Sequence, residues 1–152
     1  MLLQRMMGLA AAMLLSACAT QYQSVGLTGG HYESKGPGRL EMVSFSANGY
    51  TSAALAQKYA LYRCAEVAQA KNKPFFIMYD SLSGAARDLP AQQPRVGWVQ
   101  NKPVATAFLL LLDAPRRGVH ETGTTLEELH DIIVTGKLDG KADSPAPTSS
   151  KT

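Results

Sequence analysis

The sequence predicts a single small two-layer domain of the α+β or α/β class, with about four mixed strands. One long helix and one short C-terminal helix pack on one face of the sheet. Three observations carry this. Leu40–Ala47, Ser52–Lys71 and Phe75–Tyr79 read in order as strand, helix and strand, which argues for a right-handed crossover joining two parallel strands. The helical stretch has no interior Gly or Pro and carries a stripe of small residues at i, i+3, i+4 spacing. Leu109–Leu112 is apolar on both faces, which suits a central strand.

In chain order, Met1–Arg5 is a leader with one positive charge, followed by an almost wholly apolar run, Met6–Leu15. A charged start and a short apolar stretch are the marks of a secretory signal. The run is about half the roughly 20 residues that a membrane-spanning helix needs. Leu15-Ser16-Ala17-Cys18 then resembles the lipobox of bacterial lipoproteins at all four positions. That resemblance implies cleavage before Cys18, a diacylglycerol on its sulfur and an acyl chain on the new amino group. Each buried CH₂ contributes about 0.8 kcal/mol, so several chains anchor far more firmly than one. Ala19 stands where an aspartate would retain a lipoprotein in the inner membrane, so the resemblance favours the periplasmic face of the outer membrane. An ordinary cleaved signal, with Cys18 a bystander, is the competing reading.

Removing residues 1–17 takes away Arg5 and no acid, leaving 14 basic and 12 acidic residues and a net charge of +2. That balance is too weak to claim nucleic acid as a partner. With Cys18 lipidated, Cys64 has no partner in its own chain, in a compartment that is oxidising.

Residues 18–38 are rich in Gly, Ser, Thr and Gln and read as a flexible tether, with Gly29–Glu33 as a candidate ordered end. The domain is expected over residues 39–136. Val43 and Phe45 alternate with Met42 and Ser44 in the first strand, Asn48-Gly49 turns the chain, and Thr51 or Ser52 caps the helix. On that helix Ala53, Ala54, Ala60, Leu61, Cys64, Ala65 and Ala68 belong to the mostly small stripe assigned to the core. Leu55, Tyr59 and Tyr62 form a second stripe, in line with Glu66, that is half exposed or covered by something else. Asp80–Gln93 reads as loop. Arg95–Gln100 and Val104–Leu112 form an antiparallel pair around Asn101-Lys102-Pro103, and Asp113–Gly123 is loop. Thr124 with Glu127 and Thr125 with Glu128 form overlapping capping boxes for a helix over about Thr125–Val134, ended by Gly136. An edge strand over Asp131–Thr135 is the alternative, since Ile132-Ile133-Val134 is β-branched. Residues 137–152, rich in Pro, Ser, Ala and Lys, are expected to be disordered.

Gly29-Gly30-His31-Tyr32, Val43-Ser44-Phe45, Asn48-Gly49-Tyr50-Thr51 and Tyr59-Ala60-Leu61-Tyr62-Arg63-Cys64-Ala65-Glu66 together resemble a family of small proteobacterial lipoproteins of uncharacterised function. The likeness spans about Gly29–Tyr79, roughly half the mature chain; His31 stands where the family usually has Tyr, and Tyr62 where it often has Leu. It implies a lipid-anchored α/β domain and brings no catalytic residues.

No spacing points to a reaction. His31, His120 and His130 have no second ligand at metal-binding distance in sequence, so no metal site and no cofactor beyond the acyl groups on Cys18 is expected. Cys64 lies on the small stripe and reads as a buried inert thiol. Arg63 and Glu66, at i and i+3, read as a simple pair. Asn48–Thr51 reads as a turn and cap rather than an anion site, and Trp98 as either core or contact residue. No catalytic residue is assigned. The expectation is a non-enzymatic structural or interaction role in the periplasm, with an envelope protein or the cell wall as partner. The alternative is a small-ligand module using the Tyr59, Tyr62 and Glu66 face.

Overall fold

The computed structural model describes residues 19–138, so Cys18 and the leader lie outside the described residues, as does most of the expected C-terminal tail. The fold is one α/β domain, an open sheet with its long helix and its C-terminal helix on one face. The strands are β1 (Gly30–Lys35), β2 (Glu41–Ser46), β3 (Phe75–Tyr79), β4 (Arg95–Val99), β5 (Lys102–Leu112) and β6 (Val119–Glu121). The helices are α1 (Ala53–Ala70), the short α2 (Leu82–Ala86) and α3 (Thr122–Thr135).

The sheet has six strands rather than four, and every pair of them is antiparallel rather than mixed. The order is β1-β2-β5-β3-β6, with β4 also paired to β5. β5 is long enough to take β2 along one edge, and β3 and β4 end to end along the other. The expected crossover is therefore corrected. β2 and β3 do run the same way on either side of α1, but β5 is inserted between them and each pairs antiparallel to it. Asp113 through the β3 pairing at Leu112 marks one end of β5; Gln100 and Asn101 mark the other, both at positive φ as a two-residue primed hairpin turn requires.

Alternation along β5 sets the layers. Ala105, Ala107 and Leu109 are fully buried beneath the helices, whereas Val104, Thr106 and Phe108 face the other way and are half-buried. Against them α1 buries Ala60, Leu61, Cys64, Ala65 and Ala68, so mostly small side chains meet small side chains and the helix seats closely on the sheet. Ala53 is half-buried and Ala54 exposed in the first turn, outside the core expected of them. Ser52 caps α1, its Oγ accepting from the Leu55 amide at 3.1 Å. The core divides into a cluster around Val43, Phe76, Met78 and Leu109 and another around Phe45, Leu55 and Tyr59. Ile132 of α3 packs against both.

The C-terminal segment is helix, not the alternative edge strand, and Gly136 ends it at φ 65°. α3 starts at Thr122, earlier than expected. The capping boxes do not form: Thr125 Oγ1 donates to the Glu121 carbonyl at 2.8 Å and Thr124 Oγ1 to Glu121 Oε2 at 3.0 Å.

The expected tether is the largest departure. Within it Gly30–Lys35 pairs with β2 from Gly30↔Ser46 to Lys35↔Glu41. Ahead of that strand, Thr20 is buried, donating from Oγ1 to the Thr28 carbonyl at 2.7 Å and accepting from the Asn48 amide at 2.8 Å. Its own amide donates to Thr51 Oγ1 at 2.8 Å. Polar composition suggested a solvated linker, but these polar groups are satisfied within the domain.

Candidate functional site

The second stripe of α1 is covered, and what covers it is the chain's own Tyr22. Its ring lies 5.6 Å from Tyr59, 5.4 Å from Tyr62 and 4.9 Å from His31, centroid to centroid. Tyr59 is buried on its other side by Phe45, at 4.9 Å. Such edge-on aromatic pairs add about 0.5–1.5 kcal/mol beyond area burial. The Tyr22 hydroxyl donates to Glu66 Oε2. Burial first, then the hydrogen bond and charge of Glu66, push that phenol far above its ordinary range, so it stays a donor.

Glu66 Oε2 also accepts from Arg63 Nη1 at 2.8 Å. Arg63 in turn forks onto Glu33 of β1, with Nη2 at 2.5 Å from Oε1 and Nε at 3.2 Å from Oε2. These hydrogen bonds raise the guanidinium and hold the Glu33 carboxyl below the usual range. The result is a chain Tyr22–Glu66–Arg63–Glu33 that ties the N-terminal segment, α1 and β1 together.

His31 lies under Tyr22, with its Nδ1 buried and without a hydrogen-bond partner, 3.8 Å from Glu33 Oε2. Burial foremost, and then the Arg63 charge, lower its pKa, against the pull of Glu33 and Glu66.

The three residues expected to form a binding face thus do share one neighbourhood. Tyr59 is core, however, and Tyr62 and Glu66 are partly exposed at the edge of Tyr22. Trp98 is elsewhere, half-exposed near the end of β4 opposite Pro103. The four do not wall one pocket: Trp98 lies on β4, and Tyr22 packs against Tyr59 and Tyr62. Tyr22, Glu33 and the Arg63 fork were not anticipated. The available signal was a lone aromatic, four residues after Cys18, in a segment whose other residues are mostly small or polar, Val25 and Leu27 apart.

The remaining candidates fall in separate places. Cys64 is fully buried, and burial pushes its thiol far up. His120 stacks on Phe76 at 5.1 Å, and His130 is on the exposed face of α3. Asn48 Oδ1 accepts from the Tyr50 amide at 3.0 Å and Thr51 Oγ1 at 3.1 Å, so the Asn48–Thr51 stretch is a turn closed on itself. Among the described residues no three potential metal-ligating side chains converge, and no helix is long and apolar enough to cross a membrane. Comparison with family models, with curated proteins and with solved structures finds no match.

Proposed function

We propose that this chain is a lipid-anchored cell-envelope protein with a structural or interaction role, held at the periplasmic face of the outer membrane through Cys18. The observation that carries this reading is the four-residue match of Leu15–Cys18 to a lipobox, directly behind a charged and apolar leader. The position of Thr20 supports it: two residues after Cys18, it is buried and hydrogen-bonded within the domain, so an anchor at Cys18 would adjoin the fold directly. The resemblance of Gly29–Tyr79 to small proteobacterial lipoproteins points the same way. The partner is the bilayer through the acyl groups, with an envelope protein or the cell wall on the side facing away.

Cys18→Ala tests this by membrane fractionation and intact mass. Wild-type protein is expected in the membrane fraction, lacking residues 1–17 and carrying the acyl mass, and the variant is expected to lose both. Wild-type protein that is freely soluble and unacylated overturns the reading.

A further inference from the structure

The two ends of the sheet differ in character. The end at which Thr20 is buried gathers the start of β1, the end of β2, the start of α1 and the β4–β5 hairpin. This follows from the Gly30↔Ser46 and Ser46↔Val104 pairings and the Ala47 amide donating to the Pro103 carbonyl at 3.0 Å. Its three segments, residues 23–29, 47–52 and the hairpin end 98–102, contain no acidic residue and one basic residue, Lys102. The opposite end carries the ion pairs Lys71–Glu41 and Lys73–Asp113.

Exposed apolar surface follows the same division. Nine large apolar or aromatic side chains are exposed among the described residues, and five of them, Val25, Leu27, Tyr50, Trp98 and Val99, belong to the Thr20 end. Leu27 is fully exposed and Tyr50 is 77% exposed. Side chains of this kind scattered singly over a surface mean little; five at one end, on segments that carry no acid, mark a contact surface, although Trp98 and Val99 also border a groove on the uncovered sheet face with Asp80 and Leu82. Tyr and Trp with a basic rim are the residues that settle at the water–lipid boundary.

The position of the anchor selects the occupant. Ala19 is exposed and Thr20 is fixed by three hydrogen bonds, so Cys18 can lie no further than about 7 Å along the chain from Thr20. An acylated Cys18 therefore brings this end of the domain to the bilayer surface. We infer that the Thr20 end, through Leu27, Tyr50, Trp98 and Val99, is a lipid-contact surface that seats the domain directly on the bilayer in a fixed orientation. This inference rests on the proposed anchoring at Cys18. It places the charged end, with Lys71 and Lys73, away from the membrane.

Trp98 is the protein's one tryptophan and so reports on its own docking. The mature acylated protein, beginning at Cys18, is reconstituted into vesicles of phosphatidylethanolamine and phosphatidylglycerol, with and without lipids brominated at the upper acyl carbons. Trp98 emission is expected to shift to the blue and to be quenched by the brominated lipids. Quenching is expected to fall in L27E/Y50E, whose two sites are exposed and whose fold is checked by circular dichroism. It is also expected to be absent in W98F/F75W, which moves the tryptophan to the opposite end of the sheet. Protein that is acylated and floats with the vesicles, yet shows no Trp98 quenching, or quenching unchanged in L27E/Y50E, overturns the contact surface and leaves the anchor standing. Protein that mass spectrometry finds unacylated, and that stays off the vesicles, overturns both.

Discussion

Tyr22 turns a polar N-terminal segment into part of the fold, and its energetics can be read one bond at a time. The hydroxyl donates to a carboxylate, and a hydrogen bond to a charged group contributes about 1.5–3 kcal/mol. Tyr22→Phe is expected to lower stability by about that much in urea unfolding. Tyr22→Ala also uncovers Tyr59 and His31 and is expected to cost about 2–3 kcal/mol more, less than a fully buried aromatic would, since one edge of Tyr22 remains accessible.

His31 and Glu33 make the same corner sensitive to acid. The folded state lowers the pKa of His31 below its ordinary 6.5, and that of His120 likewise, so between the folded and unfolded values the unfolded chain binds more protons. Stability is then fully present above about pH 6.5 and declines as pH falls through and below it. Glu33, depressed from 4.5, adds stability that is present above that value and lost as pH falls further. The urea midpoint is expected to drop between about pH 7.5 and 5.5, with a shallower slope in His31→Gln. A flat profile would mean that His31 is solvated in solution.

At the scale of elements, α1 is governed by what it can approach. Ala60, Ala65 and Ala68 are fully buried on the side that meets the sheet. Ala65→Leu is expected to destabilise by about 1–3 kcal/mol through overpacking, whereas Ala54→Leu, on the exposed side, is expected to cost little. Cys64 lies in that buried surface and is a free thiol. With Cys18 acylated, the folded protein is expected to give no reaction with a thiol reagent, and one thiol per chain after denaturation. Reaction at the native rate of an exposed cysteine would show that α1 lifts from the sheet.

These elements were legible to unequal degrees. The long helix, the central role of Leu109–Leu112 and the helix before Gly136 follow from runs long enough to show a period. The three-residue β6 and five-residue α2 are too short for any period to appear. β1 was obscured for a different reason. Gly-His-Tyr-Glu-Ser-Lys shows no apolar alternation, because its inward positions are His31 and Glu33, whose partners Tyr22 and Arg63 come from elsewhere in the chain. The covering of Tyr59 was foreseen as a possibility. Its source, a residue 37 positions earlier, was not, since packing of that range leaves no local mark.

For the whole molecule, the N-terminal segment is a structural member rather than a leash. Gly30 shows how tightly it is held: at φ 137°, a Cβ there would lie 2.5 Å from the Ser24 carbonyl oxygen. Gly30→Ala is expected to destabilise by several times the roughly 1 kcal/mol of an ordinary Gly-to-Ala mismatch, seen as a lower melting temperature. Loss of residues 19–28 is expected to weaken the domain rather than merely free it. Parallel pairing between β2 and β3 was the natural reading of their order, and no local pattern could reveal that a strand from residues 102–112 would enter between them.

That late strand has a consequence for how the protein comes into being. The β1–β2 pair and β3 have no shared partner until β5 arrives, β4 pairs with β5 alone, and β6 joins β3 later still. A polypeptide delivered amino-end first cannot complete its sheet until Glu121 has emerged, at about four-fifths of its 152 residues. Until β5 is in place, β2 and β3 lack the strand that joins them, and the two halves of the sheet are held together only by what arrives late.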